Sequence, residues 1–208
     1  MSLRSRWPGM LAVLVLIGLP LVLPQHLTLG PRWLVTTAGG LLLAAMLASS
    51  AGLSREATVM RVLTIGLTLL LIIGAAWMTV RLIADLIQGG DSVSSASVLL
   101  STGGLVWINN SILFGLLYGE LDGSPSDRRP GARRDFAFPQ EMSPEIGSTG
   151  WRPAFVDYLY IGVTNGLAFS PTDAMPLTAA AKLLMGAQAV ISFVIVGLVI
   201  ARAVNILT

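Results

Sequence analysis

Five stretches of this chain run for about twenty residues with almost no charge, and that pattern limits the fold more than anything else. An apolar block of about 20 residues wound as a helix crosses roughly 30 Å of hydrocarbon. A backbone in hydrocarbon must satisfy its own N–H and C=O groups, which leaves helices as the natural solution for such blocks. Only 12% of the 208 residues are charged and 54% are hydrophobic, where a soluble domain carries about 25% charged residues. The sequence therefore predicts an all-α integral membrane protein, a single membrane domain over residues 1–208. Its transmembrane helices fall at about 7–24, 33–53, 59–87, 95–118 and 177–207. A polar loop covers 119–152, and 153–176 reads as one re-entrant half-helix resembling a pore loop.

Composition removes several classes of function. A net charge of +2 is too small for nucleic-acid binding. Cysteine is absent, which excludes disulfides, thiolate metal sites and cysteine nucleophiles. His26 is the single histidine, so no multi-histidine metal site can form. No Gly-x-Ser-x-Gly elbow and no metal-ligand spacing is present, so neither catalysis nor a cofactor is expected. The bilayer is the first expected partner. Arg4 and Arg6 precede an apolar run that ends in Pro24-Gln25-His26-Leu27, with no small-x-small cleavage site, and we read it as an uncleaved first helix. With five spans and a cytoplasmic N-terminus, Arg4, Arg6, Arg55, Arg61, Lys182, Arg152 and the arginines of the 119–152 loop lie inside. Only Arg32, Arg81 and Arg202 lie outside, and this bias predicts that orientation.

Polar residues within the apolar blocks are the candidate functional groups, because an unpaired amide in lipid is costly. Asn109 lies near the middle of the fourth block and is read either as a tie between helices or as cavity lining. Glu120 and Asp122 end that block and read as a solvated helix end. Arg81 and Asp85, at i and i+4, predict a mutual salt bridge. The sharpest constellation runs from Asp157 through Asn165 to Ser170, Thr172 and Asp173. There a short helix opened by Pro153 ends at Pro171, and its polar residues are candidates to face a cavity. Gln188 and Ser192 share a face of the last helix, expected to meet this segment.

The stretch from Leu159 to Thr178 resembles, without a gap, the pore helix, filter and post-filter turn of tetrameric potassium channels. The filter-ending Asp matches Asp173, and the Pro-x-Thr after it matches Pro176, Leu177 and Thr178. That resemblance implies a homotetramer with a central cation path. The filter itself differs: Ala168-Phe169-Ser170-Pro171-Thr172-Asp173 lacks both glycines of the family's Thr-Val-Gly-Tyr/Phe-Gly-Asp. The C-terminal half also resembles an uncharacterised family of bacterial inner-membrane proteins. Trp107, Tyr118-Gly119-Glu120-Leu121-Asp122-Gly123, Phe136-Ala137-Phe138-Pro139-Gln140 and Phe155 to Leu207 carry that likeness, which implies a bacterial inner-membrane location and no established activity. The leading expectation is a channel-like pore for a small ion. Ser170, Thr172 and Asp173 would stand at its entrance, Asn165 behind them, and Asn109 and Gln188 would support it. The alternative expectation is a non-conducting membrane scaffold or partner-binding subunit.

Overall fold

A computed structural model describes residues 7–48, 57–89, 95–123, 134–143, 145, 151–168 and 174–207, and the protein is mostly helical. Helix α1 (Trp7–Gly18) tightens into a 3-10 turn over Leu19–Leu21, where Pro20 supplies no N–H to continue an α-helix. A second 3-10 turn, Gln25–Leu27, leads to α2 (Arg32–Ala48). Helices α3 (Ala57–Gln88) and α4 (Ala96–Asp122) follow. Next come strand β1 (Phe136–Ala137), the single turn α5 (Pro139–Met142), α6 (Phe155–Ala168), strand β2 (Met175–Pro176) and α7 (Ala179–Leu207).

Among the described residues, three helical segments are long and apolar enough to cross a membrane: Arg61–Gln88, Ala96–Asp122 and Ala179–Ile206. At 1.5 Å per residue each exceeds roughly 30 Å. The apolar parts of α1 and α2, Trp7–Leu21 and Arg32–Ala45, are shorter. Large apolar side chains point outward from these helices. On α3, Val62, Ile65, Leu69, Ile73, Trp77 and Val80 are exposed in one stripe. A contiguous exposed apolar stripe of this kind marks a surface that meets a partner or a membrane. It fits a multi-pass membrane protein, as do the three apolar helices. The sequence places Trp77 deep in its block, and it faces outward with this stripe, 42% exposed.

The chain divides into two compact units, with the divisions falling inside α1, α4 and α7. The N-terminal unit holds Val13–Asn109 and Leu198–Thr208. In it α2 packs on α3, and Gly39 lets Ile17 come within 2.5 Å of where a Cβ would stand. The Thr36 hydroxyl donates to the Ile17 carbonyl at 2.7 Å. His26 Nε2 lies 2.9 Å from Asp85 Oδ2, and Arg81 Nε donates to the His26 carbonyl at 3.2 Å. Arg81 and Asp85 thus both reach His26, a residue 55 positions from Arg81 that the i, i+4 spacing does not announce.

The C-terminal unit holds Met1–Ala12 and Asn110–Gly197. Its helices α4 and α6 approach backbone to backbone through small residues. A Cβ on Gly115 would stand 3.0 Å from the Leu159 Cα, and one on Gly162 only 2.5 Å from the Ser111 carbonyl oxygen. Ser111, Gly115 and Gly119 recur every fourth residue and form a smooth groove on α4, the small-xxx-small pattern of close membrane helices. The β1–β2 ladder is antiparallel, pairing Phe136 with Pro176 and Ala137 with Met175. It brings the end of the polar loop onto the bundle, where Phe136 and Phe138 are buried.

Candidate functional site

Helix α6 starts two residues after Pro153, and the Asp157 carboxylate in its first turn accepts the Ala154 N–H at 2.7 Å. Helix α7 starts after Thr178, whose hydroxyl oxygen accepts the Ala181 N–H at 3.3 Å. These caps satisfy donors that a helix start otherwise leaves open. With both helices set against α4, three polar side chains meet in the interior of the C-terminal unit.

Tyr118 of α4 donates its hydroxyl proton to Gln188 Oε1 of α7 at 2.5 Å. Asn165 Nδ2 of α6 donates to the same Oε1 and to the Met185 carbonyl, each at 2.9 Å. Gln188 Nε2 donates to the Gly162 carbonyl at 2.6 Å. Exposure is 0% for Tyr118 and Gln188 and 2% for Asn165, so the network is closed to the surface of the chain. A second carboxylate-centred network lies at the end of α4. Asp122 Oδ1 accepts the N–H groups of Asp135 and Phe136 at 3.0 and 3.3 Å, and Oδ2 accepts the Tyr158 hydroxyl at 2.6 Å. Asp135 in turn accepts the Leu177 N–H through its carbonyl at 2.8 Å and the Thr178 hydroxyl through its carboxylate. Between the two networks sits an aromatic cluster. Tyr118 meets Phe136 edge-on at 5.3 Å, and Phe138 meets Tyr158 edge-on at 5.6 Å. The expectation of a solvated end at Asp122 gives way to a buried carboxylate, 5% exposed, which clamps the returning loop.

Among the expected site residues, Asn165 and Gln188 are brought together. Asn109 is buried, 2% exposed, and belongs to the N-terminal unit. Ser170, Thr172 and Asp173 lie outside the described residues. Residue-by-residue reading gave no role to Tyr118, Tyr158 or Gly162, and it placed Asp122 at a solvated helix end. Their signal was present in part: Gly115-x-x-x-Gly119 on α4 marks a close helix contact, and Tyr118 is the residue between those glycines that carries a polar tip. Two hydroxyls beside the network, Ser111 Oγ and Ser192 Oγ, are buried without a partner among the described residues.

Phe138 also lines a cavity of about 290 Å³, with Gln140, Val156, Asp157 and Tyr160. Among the described residues no three acidic or histidine side chains converge as a metal site. What the polar interior can do chemically is hold three helices in one register: every donor named is spent on another protein group. Comparison of the chain with protein-family models, with curated proteins and with solved structures finds no match.

Proposed function

We propose that this chain is a non-conducting, multi-pass membrane scaffold or partner-binding subunit, and that the α6–α7 hairpin is a structural element of it. The observation that carries this reading is the Tyr118–Gln188–Asn165 network, closed and almost fully buried within one chain. A path at the centre of an oligomer is lined by faces that a single chain leaves exposed. The exposed faces of α6 and α7 are largely apolar, with Val156, Tyr160 and Leu167 on one and Leu183, Val190 and Phe193 on the other, and Lys182 exposed in the first turn of α7. A cation path through one chain needs polar oxygens free to face the ion, and Gln188 Oε1 already accepts from the Tyr118 hydroxyl and from Asn165 Nδ2.

In this reading the bilayer in question is a bacterial inner membrane, with the N-terminus cytoplasmic. The five apolar blocks cross it, α1 and α2 as the shorter crossings, and α6, at about 21 Å, enters without crossing. A single cysteine at Ser126 is then labelled from the cytoplasmic face alone. The second reading, a tetrameric small-ion pore, draws on one observation: a half-length helix and a long apolar helix flank, in that order, the sequence segment that carries Asp173. Ion flux from liposomes holding purified protein separates the two. The scaffold reading expects no flux above protein-free liposomes under sodium, potassium or proton gradients. Flux that falls in Asp173→Asn would overturn it in favour of the pore.

A further inference from the structure

One end of the N-terminal unit carries more positive charge than its own acids neutralise. The Val35 side chain stands 3.9 Å from where a Cβ on Gly74 would be, so the start of α2 lies beside the second half of α3. Arg202 Nη2 stands 3.1 Å from the corresponding point on Gly89, at the end of α3. Arg32, Arg81 and Arg202 therefore share this end, and among the described residues Asp85 is the acid found with them. The Asp85 carboxylate is turned to His26, with Oδ2 2.9 Å from Nε2. The Arg81 guanidinium makes one hydrogen bond, from Nε to the His26 carbonyl, and its Nη groups have no partner among the described residues. The guanidinium groups of Arg32 and Arg202 form no ion pair among those residues either. Arg81 is exposed, so both of its Nη groups can be reached from outside the chain. The Nε bond fixes the plane of the guanidinium. The edge left open presents two parallel N–H groups, the fork that matches two oxygens of a phosphate.

The surroundings select what carries that phosphate. Trp77, one turn before Arg81, is exposed, and Ile73 and Val80 beside it are 53% and 63% exposed. All three belong to the apolar stripe of α3. A soluble anion gains nothing from that stripe, whereas a phospholipid can lay its acyl chains along it and its phosphate at the guanidinium. Charge selects among phospholipids. Three guanidinium groups against one carboxylate favour a headgroup of net negative charge and repel the ammonium of a zwitterionic one. We propose that Arg81 binds the phosphate of an anionic phospholipid whose chains lie along Trp77 and Ile73, with Arg32 and Arg202 adding positive charge. Asp85, held by His26, leaves the Arg81 fork open for it.

The test is native mass spectrometry of the full-length protein in mild detergent with equimolar phosphatidylglycerol, phosphatidylethanolamine and phosphatidylcholine of identical chains. Retention of phosphatidylglycerol should exceed that of each of the other two by at least about fivefold, the effect of one arginine beside an anionic headgroup. Arg81→Gln should remove about that factor. Arg61→Gln, at the opposite end of α3, should leave it in place. Each variant is melted beside wild type. Where Arg81→Gln melts well below it, Arg81→Lys carries the conclusion: lysine keeps the charge and loses the planar fork, so the preference should still fall. Equal retention of the three lipids would overturn the proposal. So would a preference that the Arg81 variants leave unchanged, or one that Arg81→Gln and Arg61→Gln lower equally, which is diffuse attraction to a basic surface. Loss of the bound lipid on adding millimolar inorganic phosphate, with chloride at the same ionic strength having no effect, would assign the fork to a soluble anion and equally overturn it.

Discussion

Replacing Gly162 with alanine tests the close packing of α4 and α6 at one atom. The new methyl carbon would stand 2.5 Å from the Ser111 carbonyl oxygen and 3.1 Å from the Gly115 nitrogen, where ordinary contact begins at 3.4 Å. Both neighbours are backbone atoms and cannot swing aside, so α6 must retreat by roughly 1 Å. Overpacking of this kind costs about 1–3 kcal/mol. The retreat also draws the Gly162 carbonyl away from Gln188 Nε2, a bond of 2.6 Å whose loss costs about 1 kcal/mol. Alanine's better helix propensity returns about 1 kcal/mol, so the clash wins and the net loss is about 1–3 kcal/mol. For a chain of this size each kcal/mol moves Tm by about 2–4 °C. Thermal unfolding in mild detergent, followed by circular dichroism, should therefore show Tm lower by at least about 2 °C. Gly186→Ala is the matched control: it lies in α7 with nothing within 4 Å of where the added methyl would stand, and it should raise Tm. A Gly162→Ala protein as stable as wild type, with Gly186→Ala stabilised as expected, would refute the packing argument.

Other substitutions probe the two networks by the same melt. Gln188→Leu strands the Tyr118 hydroxyl, an Asn165 proton and the Gly162 carbonyl, and should cost about 3 kcal/mol or more. Adding Tyr118→Phe removes one of those stranded groups, so the double variant should recover part of the loss rather than add to it. Ser192→Ala deletes a buried hydroxyl with no partner among the described residues and should be neutral or stabilising by up to about 1 kcal/mol; a loss above that would mean the hydroxyl has work the structure does not reveal. Asp122→Ala leaves two backbone N–H groups and the Tyr158 hydroxyl without their acceptor, and should cost about 2–4 kcal/mol. An unchanged Tm there would contradict the clamp.

The long apolar helices were legible because hydrophobicity is a local signal. The blocks read at 59–87, 95–118 and 177–207 correspond to α3 (Ala57–Gln88), α4 (Ala96–Asp122) and α7 (Ala179–Leu207). Helix α4 runs past the span read at 95–118 to Asp122. Its last turn is held by Asp122, whose donors sit 13 to 36 residues away and leave no mark on the neighbouring sequence. Asn165 and Gln188 stood out as polar residues in apolar surroundings, but polarity alone does not say whether such a residue faces water or another amide. That answer lies in contacts across 20 to 70 positions, from Tyr118, Met185 and each other. Pro20 shows the opposite case: its missing N–H is a local fact, and the helix tightens there into the 3-10 turn Leu19–Leu21.

The central claim is that the polar faces of α6 and α7 tie helices together rather than line a water-filled path. The chain contains no cysteine, so a single introduced thiol reports on one position. Ser192 sits one turn beyond Gln188 and is 1% exposed, and serine to cysteine changes one atom. Ser97, at the exposed start of α4, is the reference. With a water-soluble, charged methanethiosulfonate reagent on protein in liposomes, Ser97→Cys should react and Ser192→Cys should not until the protein is denatured. Modification of Ser192→Cys in the folded protein at a rate close to that of Ser97→Cys would place water along this face and contradict the account.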